Sequence, residues 1–269
     1  MENELRDALV TKCLQMDFPE TLLSEESLLR DFGHLKNTQN LSPRSNTCMA
    51  LIQYFHPSLW RAHLKNHLSP YQAWHDPKCL VKCINNRLKY KGAPLSPENI
   101  RAGFSIGKIA PKVSIFRPAL ARYLIEKYLP DYTEIFDPCS GYSGRLLGAM
   151  AANKIYVGQD INPITIKEAQ ELSKFFNFDN ALLTNRNSLA TSGNYESLFT
   201  CPPYADKENW NQSIEDLTCD EWIDVCRSNY KCNRYLFVID QTKKYSKYIV
   251  EELINSSYLC QSKECVVLI

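Results

Sequence analysis

The stretch from Thr133 to Asp160, TEIFDPCSGYSGRLLGAMAANKIYVGQD, decides the fold. A short apolar run, Ile135-Phe136, stops at Asp137-Pro138. A loop carrying Gly141, Ser143 and Gly144 then leads into apolar residues at helical spacing, Leu146, Leu147, Ala149 and Met150. This is the order strand, tight turn, helix. A second apolar run, Ile155 to Gly158, ends on Asp160, about 20 residues beyond the loop, where nucleoside-binding folds place an acid for ribose hydroxyls. Glycine lets backbone approach a ligand where a Cβ would collide, and the amides at the following helix start are expected to face the ligand's polar groups. The loop departs from G-x-G-x-x-G and sits beside an acid that would repel pyrophosphate, which favours a nucleoside cofactor without phosphates.

Outward from this stretch the alternation continues. Pro163 to Phe176 reads as a helix, Ala181 to Thr184 and Glu196 to Thr200 as strands, Ile214 to Tyr230 as a helix and Tyr235 to Asp240 as a strand. Tyr245 to Ser256 reads as a helix and Cys265 to Ile269 as a last strand. Strands alternating with helices predict an α/β, doubly wound, largely parallel sheet over residues 111–269. Residues 1–110 read as mostly helical: Glu2 to Leu35 is helical with a second start near Ser24 and Ser27, Asn37 to Asn46 is a polar loop, and helices follow over Met49 to Trp60 and Pro70 to Arg87. Ser69-Pro70 and Ser96-Pro97 have the cap-then-proline order of helix starts. Trp60, Tyr71 and Trp74 are assigned to the core of this region rather than to base stacking.

The chain has 269 residues, 44% of them hydrophobic, enough to bury a substantial core. The MENELRDALV start is acidic rather than a signal peptide, and no apolar run reaches membrane-spanning length. Eleven cysteines lie scattered without a regular frame, which suits reduced thiols. The expectation is a cytoplasmic protein with no membrane partner. The net charge of +1 hides an uneven distribution: residues 1–32 hold three basic and eight acidic side chains, whereas residues 33–115 hold twelve basic against two acidic. All five histidines lie in that basic middle as well. An excess of this kind is what binding a phosphate backbone requires, and a solvated cationic face is the plainer alternative. Arg87-Leu-Lys89-Tyr90-Lys91 interleaves cations with an aromatic ring, and Lys108 and Lys112 follow; these are the candidate nucleic-acid contacts. His63 with His67 and Cys79 with Cys83 have i, i+4 spacing, but without a tight Cys-x-x-Cys knuckle no metal site is assigned.

Two motifs together carry a family resemblance. Asp137-Pro-Cys-Ser-Gly-Tyr-Ser-Gly-Arg-Leu-Leu-Gly-Ala149 resembles the first motif of the amino-methylating DNA methyltransferases. Thr200-Cys201-Pro202-Pro203-Tyr204 is similar to their catalytic tetrapeptide, in the same order and about 60 residues on. The likeness spans Lys112 to the C-terminus. It implies a Rossmann-like methyltransferase sheet binding S-adenosylmethionine, with a basic helical domain that reads double-stranded DNA. A cognate restriction endonuclease is an implied partner. The implied cofactor contacts are Phe116 and Arg117 before the loop; Phe136, Asp137, Pro138, Cys139, Gly141, Ser143 and Gly144 in it; Asp160 and Ile161 after the second strand; and Asn187 and Ser188 near the adenine. The chain stops early for this family, so the usual final hairpin strand is expected to be missing.

The resemblance also implies a chemistry. The side chain at 201 and the Pro202 carbonyl would accept the hydrogens of an exocyclic amine on adenine or cytosine, with Pro203 the next member of the catalytic tetrapeptide. Tyr204 would stack on the swung-out base. Trp210 would stack on a flanking base or cover the cofactor. Cys201 departs from the family's Asp, Asn or Ser, and sulfur accepts weakly; its likeness to serine leans toward cytosine. RNA bases as substrate, and a nucleic-acid-binding subunit that has lost turnover, are the alternatives.

Overall fold

The computed structural model of the chain describes residues 2–90, 94–202, 208–209, 217–240, 250–255 and 263–269. In chain order the helices and strands are α1 Glu2–Leu14, α2 Glu25–Asn37, α3 Met49–Phe55, β1 His63–Leu64, α4 Pro70–Trp74, α5 Pro77–Leu88, α6 Pro97–Ile106 and α7 Pro118–Tyr128. Then follow β2 Glu134–Asp137, α8 Gly144–Ala151, β3 Ile155–Asp160, α9 Pro163–Phe175, β4 Ala181–Asn185, β5 Gly193–Thr200, β6 Glu208–Asn209, α10 Cys219–Asn229, β7 Tyr230–Asp240, β8 Val250–Asn255 and β9 Lys263–Leu268. Among the described residues no helix is long and apolar enough to cross a membrane.

The chain forms two units. One comprises Met1–Leu22, Pro57–Ser114 and Asp206–Ile214; the other comprises Leu23–His56, Ile115–Ala205 and Glu215–Ile269. The boundary expected at 110/111 therefore falls at Ser114/Ile115, and residues 23–56 go with the sheet rather than with the helical region. Packing explains this. Buried Leu28 and Leu35 mark the inner face of α2, which packs on α8, and Arg122 on α7 donates to the carbonyls of Leu35 and Thr38. Phe32 meets Phe176, and Phe55 meets Phe175, with centroids 4.6 and 5.3 Å apart.

The sheet unit has seven strands in the order β4-β3-β2-β5-β7-β9-β8. From β4 through β7 every pairing is parallel, while β9 runs antiparallel to both β7 and β8. The interior residues of β2, β5 and β7 read as continuous apolar runs, as strands covered on both faces must: Ile135, Phe136, Leu198, Phe199, Leu236, Phe237 and Val238 are all buried. The order reverses between β2 and β5, since the chain winds outward through β3 and β4 and returns beside β2. Such a reversal opens a crevice outside the carboxyl ends of the strands. The doubly wound Rossmann-like architecture is thus present.

Two expectations fail at the far edge. Val250–Asn255, read as part of a helix, is a strand, and the final hairpin is present as β8 and β9. Glu and Leu in VEELIN favour a helix locally, but pairing with β9 supplies backbone partners and overrides that preference. β5 and β7 also begin at Gly193 and Tyr230, earlier than their apolar runs suggest.

The helical unit packs α1, α4, α5 and α6 around Phe18, Trp60, Trp74, Leu80, Ile84 and Phe104, so Trp60 and Trp74 are core residues. Ser69 and Ser96 cap helices as predicted: Ser69 accepts from the Gln72 amide at 3.1 Å while the Gln72 side chain accepts from the Ser69 amide at 2.9 Å, and Ser96 accepts from the Asn99 amide. The stretch Pro70 to Arg87, read as one helix, is instead two, because Asp76-Pro77 starts a second one, with Asp76 accepting from the Lys78 amide at 2.7 Å. β1 and β6 form a two-stranded antiparallel ladder within this unit.

Candidate active site

β2 delivers Asp137 to the carboxyl edge of the sheet, where its carboxylate is fully buried and saturated. Arg145 on α8 grips it with Nε at 2.6 Å from Oδ2 and Nη2 at 3.3 Å from Oδ1. The hydroxyl of Tyr156 on β3 donates at 2.6 Å, that of Thr200 on β5 at 2.8 Å, and the Cys139 amide at 3.2 Å. One side chain thus ties three strands, the loop and the helix together. Burial works against the Arg145 guanidinium, but Asp137 beside it leads the attractions that hold its pKa above the ordinary arginine range. The expectation that Asp137 contacts a cofactor is corrected: its carboxylate faces inward and is occupied by these donors. Phe136 beside it is likewise wholly buried.

Asp160, at the end of β3, is used differently. Oδ2 accepts from the Gly141 amide at 2.9 Å and Oδ1 from the Asn162 amide at 2.9 Å. A carboxylate has about four lone-pair positions, so each oxygen keeps one to spare, and the residue is only half-buried. Burial raises its pKa, opposed by the amides of Asn162 and Gly141. Gly141 has φ +55°, and a Cβ there would meet nothing nearer than the Cys139 carbonyl at 3.9 Å. The Cβ side of Gly141 is therefore open space. The Gly141 amide points at Asp160 and not outward, so this donor, which a phosphate-binding loop would turn to its ligand, is already taken.

The rest of the loop is held from several sides. The Ser140 amide donates to the Gln159 carbonyl at 2.8 Å, and the Ser188 hydroxyl donates to the Pro138 carbonyl. Burial pushes the Cys139 thiol well up. A Cβ on Gly144 would stand 1.9 Å from the Phe116 carbonyl oxygen, so only glycine lets the segment before α7 cross the start of α8. The Phe116 ring lies 5.1 Å from the Arg145 guanidinium and 5.7 Å from Phe199. Arg117, the residue before α7, is half-buried. The Phe116 backbone thus meets the glycine loop at Gly144. Ile161 contributes a carbonyl that accepts from Asn185 at 2.8 Å. Exposed Asn187 closes its own turn by accepting from the Leu189 amide at 3.0 Å.

β5 runs parallel to β2 with Phe136 opposite Leu198, and β2 runs parallel to β3. Half-buried Cys201 and buried Pro202 consequently leave the sheet at the edge that carries Asp160. Cys201 lies within electrostatic range of Arg145. Pro203, Tyr204, Trp210 and Lys91 lie outside the described residues. In the helical unit Lys89, Tyr90 and Lys108 are exposed. Arg87 packs its methylenes over Gly103 with Nε buried, and Lys112 sits 5.6 Å from the Trp60 ring, where burial and then Arg101 lower its pKa. Neither is the freely solvated cation that the sequence suggested. Among the described residues no three metal-ligating side chains come together.

Sequence reading missed Arg145, Tyr156 and Thr200. A lone arginine opening the apolar helix GRLLGAMA was a usable signal, since a buried guanidinium demands an acid. It also missed His56 and Glu168, for which spacing gives no hint: they are 112 residues apart in the chain.

The acid-tipped β3 and the glycine loop thus stand at the reversal of a doubly wound sheet, where open α/β sheets bind their ligands. No protein-family model matches the chain, and no curated protein matches it. Among solved structures, yhhF from Escherichia coli, a candidate methyltransferase, is 12% identical over 54% of this chain and 81% of its own, with a TM-score of 0.43. TrmN from Thermus thermophilus is 12% identical over 56% and 48%, with a TM-score of 0.43. The Pyrococcus abyssi tRNA (uracil-54, C5)-methyltransferase, solved with S-adenosyl-L-homocysteine, is 17% identical over 55% and 36%, with a TM-score of 0.41. Likenesses this distant carry no argument about the site, and the strand order stands without them.

Proposed function

We propose that the chain is an S-adenosylmethionine-dependent methyltransferase acting on the exocyclic amine of a nucleic-acid base, with double-stranded DNA as the substrate favoured by the paired motifs. The observation that carries this reading is the edge at which Asp160, open-faced Gly141 and Cys201-Pro202 emerge together. The residues present fit such a cofactor. Asp160 has spare acceptor positions for two ribose hydroxyls, and a loop whose Gly141 amide is turned inward suits a nucleoside without phosphates. When bound, the cofactor supplies an activated methyl group on a sulfonium, already a good leaving group.

What remains for the protein is alignment and exclusion of water. The amine lone pair of a nucleobase is delocalised into the ring. The Pro202 carbonyl, on a residue with fixed φ and no competing amide proton, would accept one amine hydrogen and favour the pyramidal nitrogen. The Cys201 sulfur is a poorer second acceptor. The exposed cations Lys89 and Lys108 of the helical unit would hold backbone phosphates, each releasing counterions.

The test is incorporation of labelled methyl groups into duplex DNA and into structured RNA, followed by digestion to nucleosides and identification of the modified one by mass. N-methylated cytosine or adenine from DNA supports the reading. Label in RNA alone moves the substrate to RNA. Cofactor binding without label on any acceptor makes the chain a binding subunit, and absence of both binding and label overturns the reading.

A further inference from the structure

Ser143 immediately precedes α8 yet does not cap it with its side chain, and it holds a left-handed backbone at φ +61°. Its hydroxyl goes elsewhere. Oγ lies 2.7 Å from Nε2 of His56, and Nδ1 of His56 lies 3.0 Å from Oε2 of Glu168 on α9. All three side chains are buried: His56 is 0% exposed, Ser143 1% and Glu168 7%. Tyr142, next in the loop, meets the imidazole edge-on at 5.7 Å.

A carboxylate only accepts, so Nδ1 of His56 donates to Glu168, while Nε2 shares a hydrogen bond with the Ser143 hydroxyl. The three groups form one hydrogen-bonded chain, Ser143 to His56 to Glu168. A non-glycine residue is held in the left-handed region only when its surroundings over-determine it, and this chain is the surrounding that does so. Burial keeps a substrate from the Ser143 oxygen, so the arrangement is no nucleophilic triad despite its resemblance to one.

We infer that His56, oriented by Glu168, is a positioning residue for the glycine loop: by holding Ser143 left-handed it keeps the neighbouring Gly141 against Asp160 and the nucleoside side of the loop open. The inference rests on the reading of this loop as the S-adenosylmethionine site. His56 is the last residue of the sheet unit before Pro57, and Phe116, whose carbonyl presses on Gly144, is the second after the chain returns. The loop is thus fixed from both places.

Binding of S-adenosylhomocysteine, measured by calorimetry well below the melting temperature, tests it. Absence of binding by the unaltered protein sinks the cofactor reading itself. With binding established, His56→Ala should weaken affinity about tenfold, and added imidazole should restore it. Ser143→Gly accepts the left-handed backbone but lacks the hydroxyl; it should lose a similar factor, with no further loss in the double variant. Glu168→Gln, which still accepts from Nδ1, should lose less. Unchanged affinity in a folded His56→Ala protein, or losses that multiply in the double variant, overturns the inference. If His56→Ala does not fold, Ser143→Gly and Glu168→Gln decide: tight binding by both overturns it.

Discussion

Two neighbouring parallel strands, β2 and β3, both end on an aspartate, and the molecule uses the two in opposite ways. Asp137 is buried and receives five donors, two from Arg145 and one each from Tyr156, Thr200 and the Cys139 amide. Asp160, one strand over, receives two backbone amides and keeps an accessible face. Residue type and position at a strand end are the same, so the difference comes from what surrounds each carboxylate. A carboxylate already saturated by internal donors holds the fold together, whereas one with acceptor positions to spare can meet a ligand.

The sharpest way to break this contrast is to remove each carboxylate in turn. Asp137→Ala strands a buried guanidinium, a loss of about 3–5 kcal/mol for broken buried pairs, which is a large part of the stability of an ordinary domain. Urea or thermal melts should show a protein that is largely unfolded or strongly destabilised. Asp160→Ala leaves two amides that water can reach, at a cost of about 1 kcal/mol, while affinity for S-adenosylhomocysteine falls by at least about tenfold. Equal destabilisation by the two substitutions would refute the division of labour.

The same loop offers a smaller contrast between two glycines. A methyl group on Gly144 lands 1.9 Å from the Phe116 carbonyl oxygen and 2.8 Å from its carbon, so backbone must shift. Overpacking of this kind costs about 1–3 kcal/mol. A methyl group on Gly141 finds open space, and only its positive φ resists, at about 1 kcal/mol. Gly144→Ala should therefore lower the melting temperature more, while Gly141→Ala should chiefly weaken cofactor binding. Melting curves in the reverse order would mean that the loop opens on the other side.

How much of this was legible follows from which contacts are local. Strand, turn, helix and second strand from Thr133 to Asp160 lie within one stretch, and their periodicity and glycines specify them. The assignment of residues 23–56 was not legible, because their helical pattern grouped α2 and α3 with the other helices of residues 1–110 while their packing partners, α8 and α9, lie far along the chain. β8 was misread since its partner strand, and not its own residues, makes it a strand. Asp137 was correctly singled out but given the wrong task. Cys139 and Arg145 among its donors lie in the motif itself, but Tyr156 and Thr200 come from 19 and 63 residues away, and the motif names the acid without naming what occupies it.

The gentlest probe of the two-aspartate contrast is pH. Burial, first, raises the Asp160 pKa, and the Asn162 and Gly141 amides only partly oppose it. A carboxyl whose pKa is higher in the folded than in the unfolded chain contributes stability that is fully present below its unfolded value, near 3.9 for an ordinary aspartate, and that is lost as pH rises through the folded value. Acidification should therefore shift the stability difference between the natural protein and Asp160→Asn in favour of the natural protein. Ligand binding runs the other way, because ribose hydroxyls need an ionised acceptor. Affinity for S-adenosylhomocysteine should start to fall at a pH above the usual aspartate range, and that fall should be absent in Asp160→Asn. Paired urea melts and calorimetry on both proteins from neutral to mildly acidic pH read both signs. Stability and affinity moving in the same direction would show that Asp160, like Asp137, is spent on the fold.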